Sequence, residues 1–141
     1  MDLFLVHAYE DADYASGLED TLAGRGLVVG ESISLWPGQR LLPQIDQGLH
    51  DARHAVVVVS KAFLGFSWSR KELDGLTTRL RVVALLHDLG KAEVARHSPR
   101  LAVAAFPGSL SERLVRLLRP GPEWQRFRVT TRQARVRLRG R

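Results

Sequence analysis

The chain of 141 residues contains no cysteine. That excludes disulfide staples, thiolate nucleophiles and cysteine-ligated zinc, and it suits a reducing, cytoplasmic setting. No run of about 18 apolar residues occurs, so no segment reads as a membrane span and no membrane partner is expected. The first residues lack a basic segment and a small-residue cleavage motif, so no signal peptide is expected. Internal repeats are absent. Neither a Walker loop nor a GxGxxG run follows the first apolar stretch. His50 and His54 stand four apart without an HExxH motif or an evident third ligand, so no metal is expected. Acids are scarce at one end only. Residues 119–141 hold eight arginines and one acid, Glu123, whereas residues 1–118 hold 13 basic against 14 acidic side chains. The net charge of +6 therefore belongs to a tail. We expect one domain over residues 1–119, followed over 120–141 by an arginine-rich tail or linker. From Arg126 onward the arginines alternate with apolar residues. That pattern suits a linker, an extra strand, or a contact with nucleic acid or another anionic partner.

What the chain does have is a set of short apolar runs without polar alternation. Asp2–Val6, Leu27–Gly30, Ala55–Val59, Val82–Leu86 and Leu101–Phe106 each suit a strand covered on both faces. Between them lie helical spacings. Tyr14, Leu18 and Leu22 mark the first, with Asp11 or Asp13 placed to cap it. Leu41 or Leu42, Ile45, Leu49 and Ala52 mark the second, with Pro43 in its first turn. Leu73, Leu76 and Leu80 form the stripe of the third. Lys91–His97 predicts a short helix stopped by Pro99. Ser109 and Glu112 are spaced as a capping box for a last helix carrying Leu110, Leu114, Leu117 and Leu118. This alternation predicts an α/β fold: a five-stranded parallel sheet in the flavodoxin-like order 2-1-3-4-5, with helices on both faces.

In such sheets ligands bind beyond the carboxyl ends of the strands, at the switch point between strands 1 and 3. The loops predicted to meet there are His7–Asp11, residues 31–40 with the turn Pro37-Gly38, and residues 60–72. The last contains Trp68 and Glu72. If both were helical, their Cβ atoms would lie about 5–6 Å apart on one face. Glu72 then stands as a carboxylate at the edge of a buried stripe beside an aromatic plane. Trp68 reads equally as a core anchor for the helix start. Trp36, in the turn, is placed to stack on a base, to meet a neighbouring subunit, or to pack on the second helix. A response-regulator receiver shares the topology but needs an aspartate after strand 3, where Ser60-Lys61 stand.

Four of these stretches, in order, resemble bacterial TIR (Toll/interleukin-1 receptor) domains. Asp2–Asp11 resembles the opening box. Ser34-Leu35-Trp36-Pro37-Gly38 resembles the loop after strand B, known as the BB loop. Trp68-x-x-x-Glu72-Leu73 resembles the WxxxE motif, and His87–Gly90 through His97-Ser98-Pro99 resembles the stretch between strands D and E. The resemblance covers roughly residues 2–118. It implies cleavage of NAD+ to nicotinamide and ADP-ribose or a cyclic isomer, with NAD+ as substrate and no cofactor. It names Glu72 as catalytic. Trp68, Tyr9, His7, Ala8, Trp36, Glu31 and Ser60 become the candidate substrate contacts, and Leu35, Trp36, Pro37 and Gly38 the contact with other TIR domains. It further implies activation by self-assembly in bacterial immune signalling, with a sensor domain or protein as a possible partner. The alternative is a non-enzymatic TIR–TIR scaffold. The chain departs from the family pattern at Glu31-Ser32, where an Asp-Glu pair is common. It departs also at Gln39-Arg40, where acidic residues or serine are usual, and at Tyr9, where a small residue is common.

Overall fold

Apolar runs with no polar face need cover on both sides, and three of them form the middle and one side of the sheet. The computed structural model describes residues 1–120. Its strands are β1 (Leu3–Ala8), β2 (Ile33–Leu35), β3 (His54–Val59) and β4 (Val82–Leu86). They form one parallel sheet in the order β2-β1-β3-β4. Every residue of β1 and β3 is buried.

Side-chain alternation splits this burial into two cores. Phe4, Val6, Ala8, Val57, Val59 and Leu86 face one layer. That layer holds α2 (Leu41–Gly48), α3 (Lys61–Leu64), α4 (Arg70–Thr77), α5 (Lys91–Ala95) and α6 (Pro99–Ala104). Leu3, Leu5, Val56, Val58 and Leu85 face the other layer, made by α1 (Ala12–Gly24) and α7 (Glu112–Leu118). The parallel α/β expectation therefore holds, with helices on both faces.

The strand count does not. Residues 101–106 are not a fifth strand: Leu101–Ala104 belong to α6, and only Phe106 reaches the sheet, in a single parallel bridge to Leu85. The Ser98 hydroxyl accepts from the Leu101 N–H at 3.1 Å, and Pro99 fills the first helical turn. These start signals outweigh the apolar run. The second strand is also displaced. Leu27–Gly30 touches β1 at one bridge, Val29 to Leu3, and the ladder proper is Ile33–Leu35.

Smaller corrections follow from capping. Asp11 occupies the N-cap position of α1 without capping it; its carboxylate accepts instead from the Ser60 hydroxyl. Ser111, not Ser109, caps α7. Helix α4 ends at Thr77, so Leu80 lies past it and is 99% exposed. The basic tail expected over 120–141 lies, beyond Pro120, outside the described residues.

One buried titratable group sets a pH limit on this fold. His54 opens β3, and among the described residues its Nδ1 has no hydrogen-bond partner. Burial, then the charges of Arg53 and Arg81, hold its pKa below the ordinary histidine value, against a smaller upward pull from Asp2. The unfolded chain therefore binds this proton more readily than the folded one. His54 contributes its full stability above about pH 6.5 and loses it as the pH falls from there toward the depressed folded value. Urea titrations at pH 8 and pH 5.5 are expected to show a loss of up to about 1.4 kcal/mol per pH unit from this site. His54→Gln is expected to flatten that slope; an unchanged slope would exclude His54 as its source.

Candidate active site

The loop from β3 to α4 is unusually aromatic, and its geometry is fixed by caps. Ser60 ends β3, and its hydroxyl accepts from the Phe63 N–H at 3.0 Å to start α3. Ser67 then takes a positive φ of 59°, uncommon outside glycine. Ser69 caps α4. Its hydroxyl accepts from the Glu72 N–H at 3.1 Å, and the Glu72 Oε1 accepts from the Ser69 N–H at 3.2 Å. This is a complete capping box. Trp68 thus precedes the helix, and the pair sits at its threshold rather than one turn apart along it.

The box engages only one side of the Glu72 carboxylate. One carboxylate oxygen is tied to the backbone. The other has no hydrogen-bond partner among the described residues. Glu72 lines a cleft of about 560 Å³ between α2 and α4, whose walls include Gly38, Arg40, Leu42, Asp46, Phe66, Trp68 and Arg79. Across it Arg79 donates to both carboxylate oxygens of Asp46, at 2.6 and 2.8 Å, and to the Gly75 carbonyl at 2.9 Å. The hydrogen bond from Arg79 holds the Asp46 carboxyl below the usual carboxylate range, against the opposing effect of its slight burial. Ser69→Ala removes one half of the box and is expected to lower the unfolding free energy by about 1 kcal/mol in urea titrations. Ser69→Thr is expected to retain most of it. An alanine variant as stable as the parent would mean that the cap does not form in solution.

Aromatic stacking links the cleft to the sheet's rim. Tyr9 lies parallel to Trp36, with ring centroids 4.2 Å apart and planes 3° apart. Its ring is also stacked with Phe66 at 6.1 Å. Phe66 meets Trp68 edge-on at 5.8 Å, and Trp68 leans on buried Phe63 at 5.7 Å. The Trp68 Nε1 is buried beside the cleft without a hydrogen-bond partner among the described residues, which leaves a donor unused there. Trp36 is 52% exposed in a turn closed by the Gln39 N–H to Trp36 carbonyl bond at 3.2 Å, with Gly38 at a φ of 87°.

The structure thus brings Glu72, Trp68 and Gly38 to one cleft, and ties Tyr9 and Trp36 to it through Phe66. Other sequence candidates lie elsewhere. Leu35 is buried in the core as the last residue of β2, and Pro37 is exposed in the turn. Ala8 is fully buried at the end of β1. His7 is buried, with its Nδ1 donating to the Ala8 carbonyl at 2.8 Å. Ser60 is fully buried and held by Asp11 and Phe63. Glu31 is exposed ahead of β2 and does not line the cleft. Beyond α1's start, Tyr14 stacks on His87 at 3.6 Å; burial, then the charge of Asp11, raises its phenol pKa. Sequence reasoning passed over Phe66, Asp46 and Arg79. Only Phe66 had a signal, as one of three aromatics within Phe63–Trp68. Among the described residues no group of three or more His, Asp or Glu side chains could hold a metal ion, and no helix is long and apolar enough to cross a membrane.

Comparison with known proteins identifies the family and the fold. A family model described as TIR domain matches residues 3–118. The NAD(+) hydrolase PdTIR of Paracoccus denitrificans is 41% identical over 108 residues, covering 72% of this chain and 36% of that protein. The 2′ cyclic ADP-D-ribose synthase AbTIR of Acinetobacter baumannii is 35% identical over 108 residues, covering 72% of this chain and 40% of that protein. The chain therefore spans well under half the length of these two relatives. Among solved structures, the TIR domains of the activated Roq1 resistosome recognising the effector XopQ share the fold. They match at a TM-score of 0.50 and 24% identity, over 73% of this chain and 67% of that one.

Proposed function

This chain belongs to the TIR-domain family, and from that premise we propose that it cleaves NAD+ at the bond between nicotinamide and ribose. The observation that carries this reading is the Glu72 carboxylate, held at one oxygen and open at the other, on the wall of a cleft faced with Phe66 and Trp68. The names of its relatives, an NAD(+) hydrolase and a cyclic ADP-ribose synthase, support it.

The chemistry needs little more. The C1′–N bond breaks with its electron pair passing to the nicotinamide ring nitrogen, which thereby loses its positive charge. That charge moves to the ribose as an oxocarbenium-like cation. A fixed carboxylate beside the sugar stabilises this cation more than it stabilises the bound substrate. Water then attacks C1′ and releases a proton to give ADP-ribose. Where a hydroxyl of the same ADP-ribose attacks instead, a cyclic isomer forms. Nicotinamide leaves without protonation, so one carboxylate and an aromatic surface suffice. Glu72 is the catalytic residue in this scheme, and the aromatic rings receive the planar groups of the substrate.

Self-association is the second part of the proposal. The turn Trp36–Gly38, with its half-exposed tryptophan, is the surface we assign to contact with other TIR domains, in a cytoplasmic signalling assembly of bacterial defence. Following nicotinamide release from NAD+ across a range of protein concentrations tests both parts. Release that rises more steeply than protein concentration supports an assembled active state. No release at any concentration, with or without a crowding agent, would leave a scaffold as the better reading.

A further inference from the structure

We propose that Arg40 holds the diphosphate of the dinucleotide and so sets the preference for NAD+ over smaller nicotinamide ribosides. This rests on the cleavage reading above. The cleft contains two arginines and two acids. Arg79 is fully engaged, with Asp46 and the Gly75 carbonyl taking its Nε, Nη2 and Nη1. That leaves Glu72 and Arg40. The Arg40 side chain has no hydrogen bond or ion pair among the described residues.

Its backbone, in contrast, is fixed from both sides. The Gln39 side-chain oxygen accepts from the Trp36 N–H at 2.9 Å, closing the turn just before it. The Gln44 Nε2 donates to the Arg40 carbonyl at 2.7 Å, and the next residue, Leu41, is fully buried. An unpaired guanidinium therefore leaves a rigid Cα on the α2 wall, across the cleft from Glu72 on α4. Nothing in the fold asks for arginine here. The position is the N-cap of α2, where serine, asparagine or aspartate would stabilise the helix start and a cation does not. The Arg40 side chain caps nothing.

The substrate supplies the missing partner. A dinucleotide brings two diphosphate charges into a cleft where the catalytic carboxylate repels them. The only uncompensated cation lining that cleft, among the described residues, is Arg40. A guanidinium fork matches phosphate oxygens in pairs. The same cation offsets the repulsion between Glu72 and the phosphates.

Three substrates share the scissile bond and differ in phosphate: NAD+, nicotinamide mononucleotide and nicotinamide riboside. Arg40→Asn is expected to raise KM for NAD+ about tenfold or more with little change in kcat. It is expected to change KM for the riboside less than twofold. Arg40→Lys is expected to recover part of the loss. Asparagine is the better cap, so thermal melting of Arg40→Asn is expected to be unchanged or raised, which separates lost affinity from lost fold. An equal effect on all three substrates, or none on NAD+, would overturn the assignment. Calorimetric binding of ADP-ribose in the Glu72→Gln background tests Arg40 without turnover. There, tighter or equal binding by Arg40→Asn would also overturn it. Absence of turnover in the parent protein would count against the cleavage reading, while the ADP-ribose result still decides Arg40.

Discussion

Glu72→Gln is expected to lower nicotinamide release from NAD+ by about a thousandfold with the fold intact. One unit charge about 4 Å from a developing cation, at an effective dielectric near 20, is worth roughly 4 kcal/mol. That corresponds to about three powers of ten in rate. Glutamine is the informative replacement because of the capping box. Its side-chain carbonyl can still accept from the Ser69 N–H, since the box tolerates Glu or Gln at this position. The substitution therefore removes charge and keeps the helix start. Glu72→Ala would confound the two. The measurement is initial-rate nicotinamide release, alongside thermal melting of both proteins. A variant within a few-fold of the parent rate would mean that the carboxylate is not the group that stabilises the transition state.

The second large effect is structural and reaches the cleft from behind. Phe63 is fully buried in α3, and its ring backs Trp68 at 5.7 Å. Phe63→Ala deletes a ring from a close-packed core and leaves a cavity, which costs about 3–5 kcal/mol. Against a total stability of about 5–15 kcal/mol, that is a large share. Urea denaturation is expected to show a lower midpoint with an unchanged slope. The folded fraction is expected to release nicotinamide more slowly as well, because Trp68 and Phe66 lose the support that orders the cleft wall. Phe63→Leu keeps most of the volume and is expected to lose less of both. A stable Phe63→Ala with parental activity would show that Trp68 is held in place by other contacts.

The sequence read most clearly where burial was complete or nearly so. Val82–Leu86 is β4 residue for residue, and Ala55–Val59 differs from β3 only by His54. It read poorly where a short edge depended on context. Ile33–Leu35 has three residues and no apolar run, so nothing local distinguishes it from the loop around it. Leu101–Phe106 is apolar throughout, and such runs suit a buried helix as well as a strand. There the deciding signal, Ser98-Pro99, sits just outside the run. The candidate site divides the same way. Trp68 and Glu72 were marked by type and spacing, but Ser69-x-x-Glu72 is also a helix-start signature, and that second meaning sets their true geometry. Asp46 and Arg79 lie 33 positions apart and meet only through the packing of α2 against α4. No local pattern announces such a pair.

The position of β1 has a consequence for how the protein is made. The first strand synthesised is an inner strand of the sheet, and its ladder with β3 joins Leu3 to His54. At about 5–20 residues per second, a ribosome needs several seconds to supply that partner. Until then β1 can engage only β2 and the segment that leads into it, and its other edge stays unpaired. The sheet cannot grow outward from the amino terminus as a meander does; it must wait for distant chain and then close largely together. The cleft comes later still, because Glu72 and Arg79 follow β3 in the chain. A chain that stops between β3 and α4 therefore lacks both the Glu72 carboxylate and β4, the strand that covers the outer edge of β3. On the proposed role of Glu72, NAD+ cleavage is confined to chains that have progressed beyond α4.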